Sequence, residues 1–387
     1  MKHITNILAL VLLAAMLGGC ASAEADAVEL FAVNVGKGDA LLVRAGGWTC
    51  LIDAGMPWAV GRVRGAMRAM GVTALDAVFL THPDDDHYGD LEWLAASDIP
   101  VGAWYASGIY TEVKEKKHPI VKAAGARGQE PIWLTRGDRV PLGDSGAVFT
   151  VLAPFEKFTD KDDNNSLVML LESPQGRMLF TGDMELPQEA SLLTKGDDLS
   201  CAVLKVPNHA DDDTVSAAFA DACSAQVAVI STSTEEKPET PDPGVLSRLR
   251  AAGSECVVTQ DADLGLWVRL SGGKADVEYV TADAPLPGVV LDAVVPGDDL
   301  ITLRSTGGDV DLTGCSLYSD RGNEAYAFPD GTVLPAGGAL TVGTNSSDPG
   351  DYDLLWDEKK VVHKSKTDTV TLYDAYGRIV DQLDNGM

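Results

Sequence analysis

The feature that most constrains this chain is the loop at residues 82–87, which reads His-Pro-Asp-Asp-Asp-His and directly follows an apolar segment. Residues 74–81 are mostly apolar and predict a buried strand. A strand that ends in this loop can bring His82, Asp84, Asp86 and His87 to one edge of a sheet. Imidazole nitrogens and carboxylate oxygens together suit zinc, manganese or iron. Two of the six histidines bracket this one acidic loop, which favours a metal site over an incidental surface loop.

Five further short motifs occur in order along the chain. They are Val-Gly-Lys-Gly-Asp at 35–39, Ile-Asp-Ala-Gly at 52–55, Asn-Asn-Ser at 164–166, Thr-Gly-Asp at 181–183 and Leu-Lys-Val-Pro-Asn-His at 204–209. Together with the loop they resemble the metallo-β-lactamase superfamily, and within it the hydrolase domain of ComEC-type DNA-uptake proteins. The resemblance covers residues 28–282. It implies an α/β fold, the αββα sandwich in which helices cover the outer faces of two sheets.

The resemblance also implies a centre for two divalent cations, zinc by preference and manganese as the alternative. One cation would take its ligands from the start of the loop, the second from the end of the loop and a distant histidine, and one aspartate would bridge them. In that order the predicted ligands are His82 and Asp84, then Asp86, His87 and His209, then Asp183. Because the cations would share a hydroxide that attacks the substrate, Asp86 and Asp183 are the predicted catalytic residues.

Three more residues are expected to support the ligands or to contact substrate. Asp53 is predicted to orient a ligand histidine or the turn beneath it. Asn165 and Ser166 lie in the loop where other members of the superfamily carry an additional histidine. They are therefore expected to coordinate weakly or to contact substrate.

The chain departs from ComEC-type proteins in two places. Those proteins usually have His-His-Gly-Ser where this chain has Asn-His-Ala-Asp at 208–211. If the first histidine of that pair is the ligand, Asn208 occupies its position; if the second is, His209 keeps the site. A Gly-His-Pro that usually precedes a later helix is replaced by Glu-Thr-Pro-Asp-Pro at 239–243. Metal binding is expected despite these losses, whereas turnover is left open.

Two functions follow from this pattern. The favoured one is a surface-anchored, metal-dependent hydrolase of phosphodiesters, a phosphodiesterase or nuclease-type phosphoesterase that acts on nucleic acid or a cell-wall polymer. The alternative is a catalytically weak metal-binding surface protein that serves binding or adhesion. The net charge of −28 repels a phosphate backbone at long range, although bound metal ions reverse the field locally. β-Lactam hydrolysis is not expected, because Asp84 stands where those enzymes carry histidine.

Residues 1–19 are predicted to be a lipoprotein signal peptide. Lys2 precedes an apolar stretch at 4–17, and Leu-Gly-Gly-Cys at 17–20 resembles a bacterial lipobox. Cys20 is the predicted lipidation site, and residues 20–27 would be a tether. The protein is therefore expected to be exported and anchored in a membrane, at the cell surface or the periplasmic face. Five further cysteines leave room for one disulfide, and the sequence does not choose the pair.

Residues 289–387 are predicted to form a separate all-β, Ig-like domain after a proline-rich linker at 283–288. Short β-rich runs alternate there with Gly, Asp and Asn turns. The segments 311–320 and 328–338 resemble lamin-tail domains, with Cys315 at a position where that family usually has tryptophan. The domain is expected to bind surface components or to position the hydrolase, without catalysis of its own.

Two local expectations concern basic residues. A helix is predicted over 58–70, with Val60, Val63 and Met67 on its apolar face and its arginines largely off that face. His118 follows two lysines and is expected in a solvated basic patch.

Overall fold

The computed structural model describes residues 27–159, 161–281, 286, 288–297, 299–344, 352–358 and 361–387. The predicted signal peptide, the lipidation site Cys20 and all of the tether except Ala27 lie outside the described residues, as does most of the linker. Among the described residues, no helix is long and apolar enough to cross a membrane.

Two facing sheets form the first part of the structure. Their strands are β1 (Val28–Val33), β2 (Leu41–Ala45), β3 (Trp48–Ile52), β4 (Leu75–Leu80), β5 (Val101–Ser107), β6 (Ile132–Leu134), β7 (Arg139–Pro141), β8 (Val148–Ala153), β9 (Val168–Ser173), β10 (Gly176–Phe180), β11 (Val203–Lys205), β12 (Val227–Ile230), β13 (Glu255–Val258), β14 (Gly265–Ser271) and β15 (Lys274–Val280). The first sheet has the order β15-β14-β1-β2-β3-β4-β5-β6 and the second β13-β12-β11-β10-β9-β8-β7.

Helices cover the outer face of each sheet. They are α1 (Val60–Met70), α2 (Asp85–Tyr88), α3 (Leu91–Ala96), α4 (Pro119–Ala126), α5 (Leu186–Leu193), α6 (Ala217–Cys223) and α7 (Pro243–Ala251). Short 3-10 turns occupy Pro57–Ala59, Glu115–Lys117, Asp163–Asn165, Pro207–Ala210 and Thr259–Asp261. Helices α1, α3 and α4 pack on the first sheet, and α5, α6 and α7 pack on the second. The predicted αββα sandwich is therefore confirmed.

The sandwich buries both faces of its central strands. Successive side chains of a strand point to opposite faces. In β1, Leu30 lies between the sheets with Phe79 and Phe149, whereas Phe31 packs under α1 with Val63. This double burial explains why the sequence of β1 reads as a nearly continuous apolar run.

One edge of the sandwich collects the carboxyl ends of its parallel strands. β3 and β4 are parallel in the first sheet, and β10, β11 and β12 are parallel in the second. The chain leaves these strands at the same edge, so the segments that follow them meet there. All the motifs of the predicted metal centre lie in or next to these segments.

The remaining strands form an all-β domain, as predicted. They are β16 (Val289–Val295), β17 (Leu300–Ser305), β18 (Val310–Asp311), β19 (Ser316–Ser319), β20 (Glu324–Ala327), β21 (Val333–Leu334), β22 (Ala339–Thr344), β23 (Leu354–Trp356), β24 (Thr369–Tyr373) and β25 (Ile379–Asp384). Two four-stranded sheets, β16-β17-β22-β23 and β20-β19-β24-β25, enclose a core that contains Leu317, Phe328 and Trp356. Cys315 is buried in that core.

Candidate metal centre

Most of the predicted ligands converge at the edge where the parallel strands end. An inner cluster consists of Asp86, His87, Asp183 and His209, whose potential ligand atoms all lie within 4.8 Å of one another. Asp183 Oδ2 is 2.9 Å from His209 Nε2 and 3.2 Å from His87 Nε2. Asp86 Oδ2 is 3.4 Å from His209 Nε2. Three segments that are distant in sequence therefore present their donors to one point.

Each histidine of the centre is fixed through its Nδ1 atom. The three acceptors are Asp53 Oδ2 for His87 (2.9 Å), the Ser231 carbonyl for His209 (2.7 Å) and Thr81 Oγ1 for His82 (3.1 Å). Because Thr81 Oγ1 donates its own hydrogen to Asp53, it accepts from the ring. These contacts assign the ring hydrogen to Nδ1 and leave a lone pair on Nε2.

The Nε2 atoms of these three histidines are buried and have no hydrogen-bond partner among the described residues. Two of them face the Asp183 carboxylate at about 3 Å, so in neutral rings lone pairs would oppose lone pairs unless a proton or a metal ion lies between them. A buried polar atom without a partner is costly, and a cation between these atoms removes that cost. Imidazole held by a second hydrogen bond is a usual arrangement of metal-binding histidine. The donor set therefore fits divalent metal ions.

The charges of the inner cluster are strongly coupled. Burial by itself would raise the pKa of Asp86, but His87 and His209 outweigh it and hold that pKa well below its usual range. Burial lowers the pKa of His87, whereas the carboxylates of Asp183, Asp53 and Asp86 outweigh it and raise that pKa well above the usual value. The cluster therefore attracts positive charge, whether protons or metal ions.

Asp53 organises the loop that carries the ligands. Its Oδ1 accepts the Thr81 amide at 2.8 Å, and its Oδ2 accepts both the Thr81 hydroxyl and His87 Nδ1. The side chain is completely buried, and its backbone adopts φ 57°, a region that non-glycine residues visit at a cost. This is the set of contacts that the predicted orienting role of Asp53 requires.

An outer cluster contains a residue that sequence analysis missed. His82, Asp84 and Asp163 bring their ligand atoms within 4.8 Å of one another. Burial, and then the charge of Asp163, raises the pKa of Asp84 to about 7, as expected of carboxylates crowded together without a cation. The resemblance identified this loop as the one in which other members of the superfamily carry an additional histidine, but the residues predicted from it follow Asp163. The acidic side chain of Asp163, next to that loop position, was the available signal.

The bridging role predicted for Asp183 stays a prediction. Asp183 groups with the inner cluster, and its Oδ1 lies 3.9 Å from Lys205 Nζ. Lys205 is completely buried and forms an ion pair with Asp39. A second lysine, Lys37, places Nζ 2.6 Å from Asp86 Oδ2. Neither lysine was assigned a role from the sequence, because nothing local to either residue indicates proximity to the ligands.

The other two predicted support residues differ in their placement. Asn165 is turned into its own loop: its amide donates to Phe158 and Asp162, and its Oδ1 accepts the Phe158 amide. It is fully buried, so the expectation that it coordinates metal or contacts substrate is corrected to a loop-stabilising contact. Ser166 Oγ accepts the Asp183 amide at 3.1 Å, which supports a ligand.

The ambiguity between Asn208 and His209 has a geometric answer. His209 faces the inner cluster, whereas the Asn208 side chain donates to Glu185 Oε1 at 3.4 Å. Asn208, His209 and Ala210 all have positive φ, at 40°, 54° and 63°. Three consecutive non-glycine residues in this region are strained, and such strain concentrates at functional sites. This turn directs His209 back over the end of β11.

His118 is not in a solvated patch, and that expectation was wrong. Its ring is buried, with ring centroids 4.8 Å from Tyr110 and 5.1 Å from Trp133. Burial lowers its pKa to about 4. The adjacent lysines misled the interpretation, because His118 immediately precedes α4 and turns inward while the two lysines before it stay exposed.

Comparisons with known proteins agree with this geometry. The family model described as the metallo-beta-lactamase superfamily matches residues 33–233, and the model described as the lamin tail domain matches residues 282–386. The chain is 27% identical to ComE operon protein 3 of Bacillus subtilis (strain 168) over 60% of this chain and 31% of that protein. It is 30% identical to Competence protein ComA of Neisseria gonorrhoeae over 58% of this chain and 30% of that protein.

The chain spans about a third of the length of these curated relatives. Among solved structures, the metallo-beta-lactamase fold protein YhfI from Bacillus subtilis matches with a TM-score of 0.39 and 14% identity, covering 65% of this chain and 100% of that one. The family match covers more than half of the chain and includes the loop, the turn and the strand end that carry the inner cluster. The chain belongs to the metallo-beta-lactamase superfamily and carries a C-terminal lamin tail domain.

Proposed function

We propose that this protein is a metal-dependent hydrolase whose substrates are phosphodiesters. The observation that carries the proposal is the set of three buried histidine Nε2 atoms, each in a ring fixed through Nδ1, that face carboxylates at one edge of the sandwich. Each of the two clusters would hold one divalent cation. In the outer cluster, Asp163 would be a ligand in addition to the predicted His82 and Asp84.

The chemistry of such a pair of cations is well suited to ester cleavage. When bound, two divalent cations acidify water and neutralise negative charge on a phosphoryl group. The protein's own residues would hold them: Asp86 and Asp183 supply charge, and His87 and His209 supply fixed nitrogen ligands. Asp53 keeps the Nδ1 hydrogen of His87 in place and thereby its Nε2 available.

Two lysines favour a phosphate ester over a neutral substrate. Lys37 Nζ lies beside Asp86, and Lys161 Nζ lies 3.2 Å from Asp163 Oδ2, with exposed side-chain fractions of 26% and 42%. Both ammonium groups therefore stand at the rim of the centre, where they can approach a phosphate oxygen. This local positive charge matters in a chain whose net charge is −28, because it opposes the general repulsion of polyanions.

The test is hydrolysis of bis(p-nitrophenyl) phosphate by the full-length chain loaded with zinc or with manganese. Activity is expected with at least one metal, and Asp86→Ala should abolish it while Asp212→Ala, at an exposed residue that belongs to neither cluster, should not. A β-lactam substrate is expected to remain uncleaved, since Asp84 replaces a histidine. The resemblance to ComEC-type DNA-uptake proteins makes single-stranded and duplex DNA the first polymers to assay.

A second outcome would favour the alternative function. If the wild-type protein binds two metals per chain and cleaves no phosphodiester with any divalent cation, the phosphodiesterase proposal fails. The chain would then be a metal-binding surface protein that serves binding or adhesion. The replaced Gly-His-Pro segment at 239–243 is the sequence feature that supports this alternative.

We further propose that the protein is exported and anchored through Cys20, at the cell surface or the periplasmic face. Support comes from the lipobox-like sequence at 17–20, which lies outside the described residues. Radiolabelled palmitate should be incorporated into the wild type, and Cys20→Ser should release an unlabelled protein. In this setting, the lamin tail domain would bind surface components or hold the centre near its substrate, a nucleic acid or a cell-wall polymer.

A further inference from the structure

The lamin tail domain rests on the arginine-bearing face of α1. Arg64 Nη2 pairs with Asp330 Oδ1 at 2.7 Å, and Arg68 Nη2 donates to the Ala375 carbonyl at 2.7 Å. The Trp58 ring, just before α1, stacks on Tyr373 with centroids 6.1 Å apart. The arginines that were expected off the apolar face are therefore contact residues of a second domain.

Two glycines of α1 allow this close approach. A Cβ on Gly61 would lie 3.1 Å from the Asp374 carbonyl oxygen, and one on Gly65 would lie 2.8 Å from the Ala375 carbonyl oxygen. Glycine inside a helix costs stability relative to alanine, so their presence here has a packing reason. The turn at 374–377 of the lamin tail domain lies against the helix backbone.

Arg62 differs from the other two arginines because it also contacts the segment that leads to the metal centre. Its Nε donates to the Gly377 carbonyl at 3.2 Å, and its Nη1 donates to the Asn34 carbonyl at 2.6 Å. Asn34 is the first residue after β1 and opens the turn that leads to Asp39. A single guanidinium group thus joins the lamin tail domain to this turn.

The turn at 34–39 is itself packed on the ligand loop. The Asp39 amide donates to the Asp86 carbonyl at 3.1 Å, and Lys37 Nζ contacts the Asp86 carboxylate. A Cβ on Gly38 would lie 2.6 Å from the Asp86 carbonyl oxygen, so the two backbones touch. Movement of this turn therefore moves Asp86, a ligand of the inner cluster.

We propose that the lamin tail domain is a docked, structural part of the catalytic unit, and that Arg62 is a positioning residue through which the docked domain holds the 34–39 turn and Asp86 in place. The domain would then be more than a flexibly attached binding module. Its turn at 374–377 would set how firmly the inner cluster holds a metal ion.

The test compares Arg62→Met with Arg68→Met in the full-length chain. Arg68 contacts the same turn of the lamin tail domain without reaching Asn34, so it is a matched control. Hydrogen–deuterium exchange of residues 34–39 should become about tenfold faster in Arg62→Met and stay within twofold of wild type in Arg68→Met. Zinc affinity, measured by competition with a fluorescent chelator, should fall several-fold in Arg62→Met alone, and Arg62→Lys should restore part of it.

A third variant tests the docking itself. Gly61→Leu places a side chain against the 374–377 turn and leaves the sandwich core untouched, so exchange should rise in α1, in 374–377 and in 34–39 together. The proposal is overturned if Gly61→Leu changes none of these segments, or if Arg62→Met and Arg68→Met have the same effect on residues 34–39 and on zinc affinity. None of these readouts depends on hydrolysis, so failure of the proposed function would leave the test intact.

Discussion

Replacement of Lys205 by methionine removes a buried charge from the centre while keeping most of the side-chain volume. The Lys205 side chain has no exposed surface, and its Nζ forms an ion pair with Asp39 and lies 3.9 Å from Asp183 Oδ1. The substitution therefore leaves two buried carboxylates without their lysine partner. His87 Nδ1 lies 3.9 Å from Asp39 Oδ2, but its hydrogen bond goes to Asp53, so it compensates for that loss only weakly.

The expected size of this effect follows from the burial. Removing one partner of a buried ion pair costs about 3–5 kcal/mol, because the remaining charge is left uncompensated. For a domain of this size, 1 kcal/mol corresponds to roughly 2–4 °C in Tm, so Lys205→Met should lower Tm by roughly 6–20 °C. The exposed ion pair of Lys274 with Asp276 offers a contrast, since such pairs contribute about 0–1 kcal/mol.

The assay is thermal and urea unfolding of the full-length chain in a metal chelator. Lys205→Met should show the large loss, the double variant Lys205→Met/Asp39→Asn should recover much of it, and Lys274→Met should change stability little. The reasoning is refuted if Lys205→Met costs less than about 1 kcal/mol, the level of an exposed pair. It is also refuted if the double variant is no more stable than the single one.

Three further predictions concern other parts of the sandwich domain. His209→Ala should lower bound zinc from two ions per chain to one by elemental analysis, whereas Asn208→Ala should keep two; equal losses would contradict the assignment. Asp90 is buried with no hydrogen-bond partner for either carboxylate oxygen among the described residues, and burial raises its pKa well above the usual value. In urea with chelator, Asp90→Asn should match wild type near pH 4 and gain about 1.4 kcal/mol per pH unit relative to wild type above that, up to the folded-state pKa, because over this range the unfolded wild type releases the Asp90 proton while the folded wild type keeps it; a constant difference would contradict this. Cys201 and Cys223, whose amide and carbonyl are 3.0 Å apart, should form a disulfide when diamide accepts their two electrons and two protons; peptide mapping that finds another pair would rule this out.

The sequence predicted the candidate site best where the relevant residues lie close together along the chain. The strand before residue 82 and the spacing of His82, Asp84, Asp86 and His87 lie within a few residues of one another, so periodicity and ligand chemistry identify them together. The family resemblance then supplied Asp183 and His209, which no local pattern connects to the loop. The sandwich itself was implied by the same resemblance, and the order of apolar strands and helices along the chain was compatible with it.

The residues that were missed depend on contacts between distant segments. Lys205 sits within an apolar strand end, and only the folded sandwich shows that Asp39 and Asp183 neutralise it. The arginines of α1 have the spacing of a solvated helix face, and a second domain covers them instead. His118 was wrongly predicted to be solvated because the two lysines before it are exposed, while its own ring turns inward. The position of a charged residue in the sequence does not indicate which residues will contact its side chain in the folded protein.

The two ligand clusters differ in enclosure and in donor type. The inner cluster has two histidines, and only Asp86 among its members is not buried. The outer cluster has one histidine and two carboxylates with exposed side-chain fractions of 35% and 15%. Nitrogen donors and exclusion of water favour a borderline cation such as zinc, so we expect the inner cluster to fill first. As free metal rises, the chain would then pass through a singly occupied form, and the metal supply around the protein would set the proportion of chains that hold a complete pair.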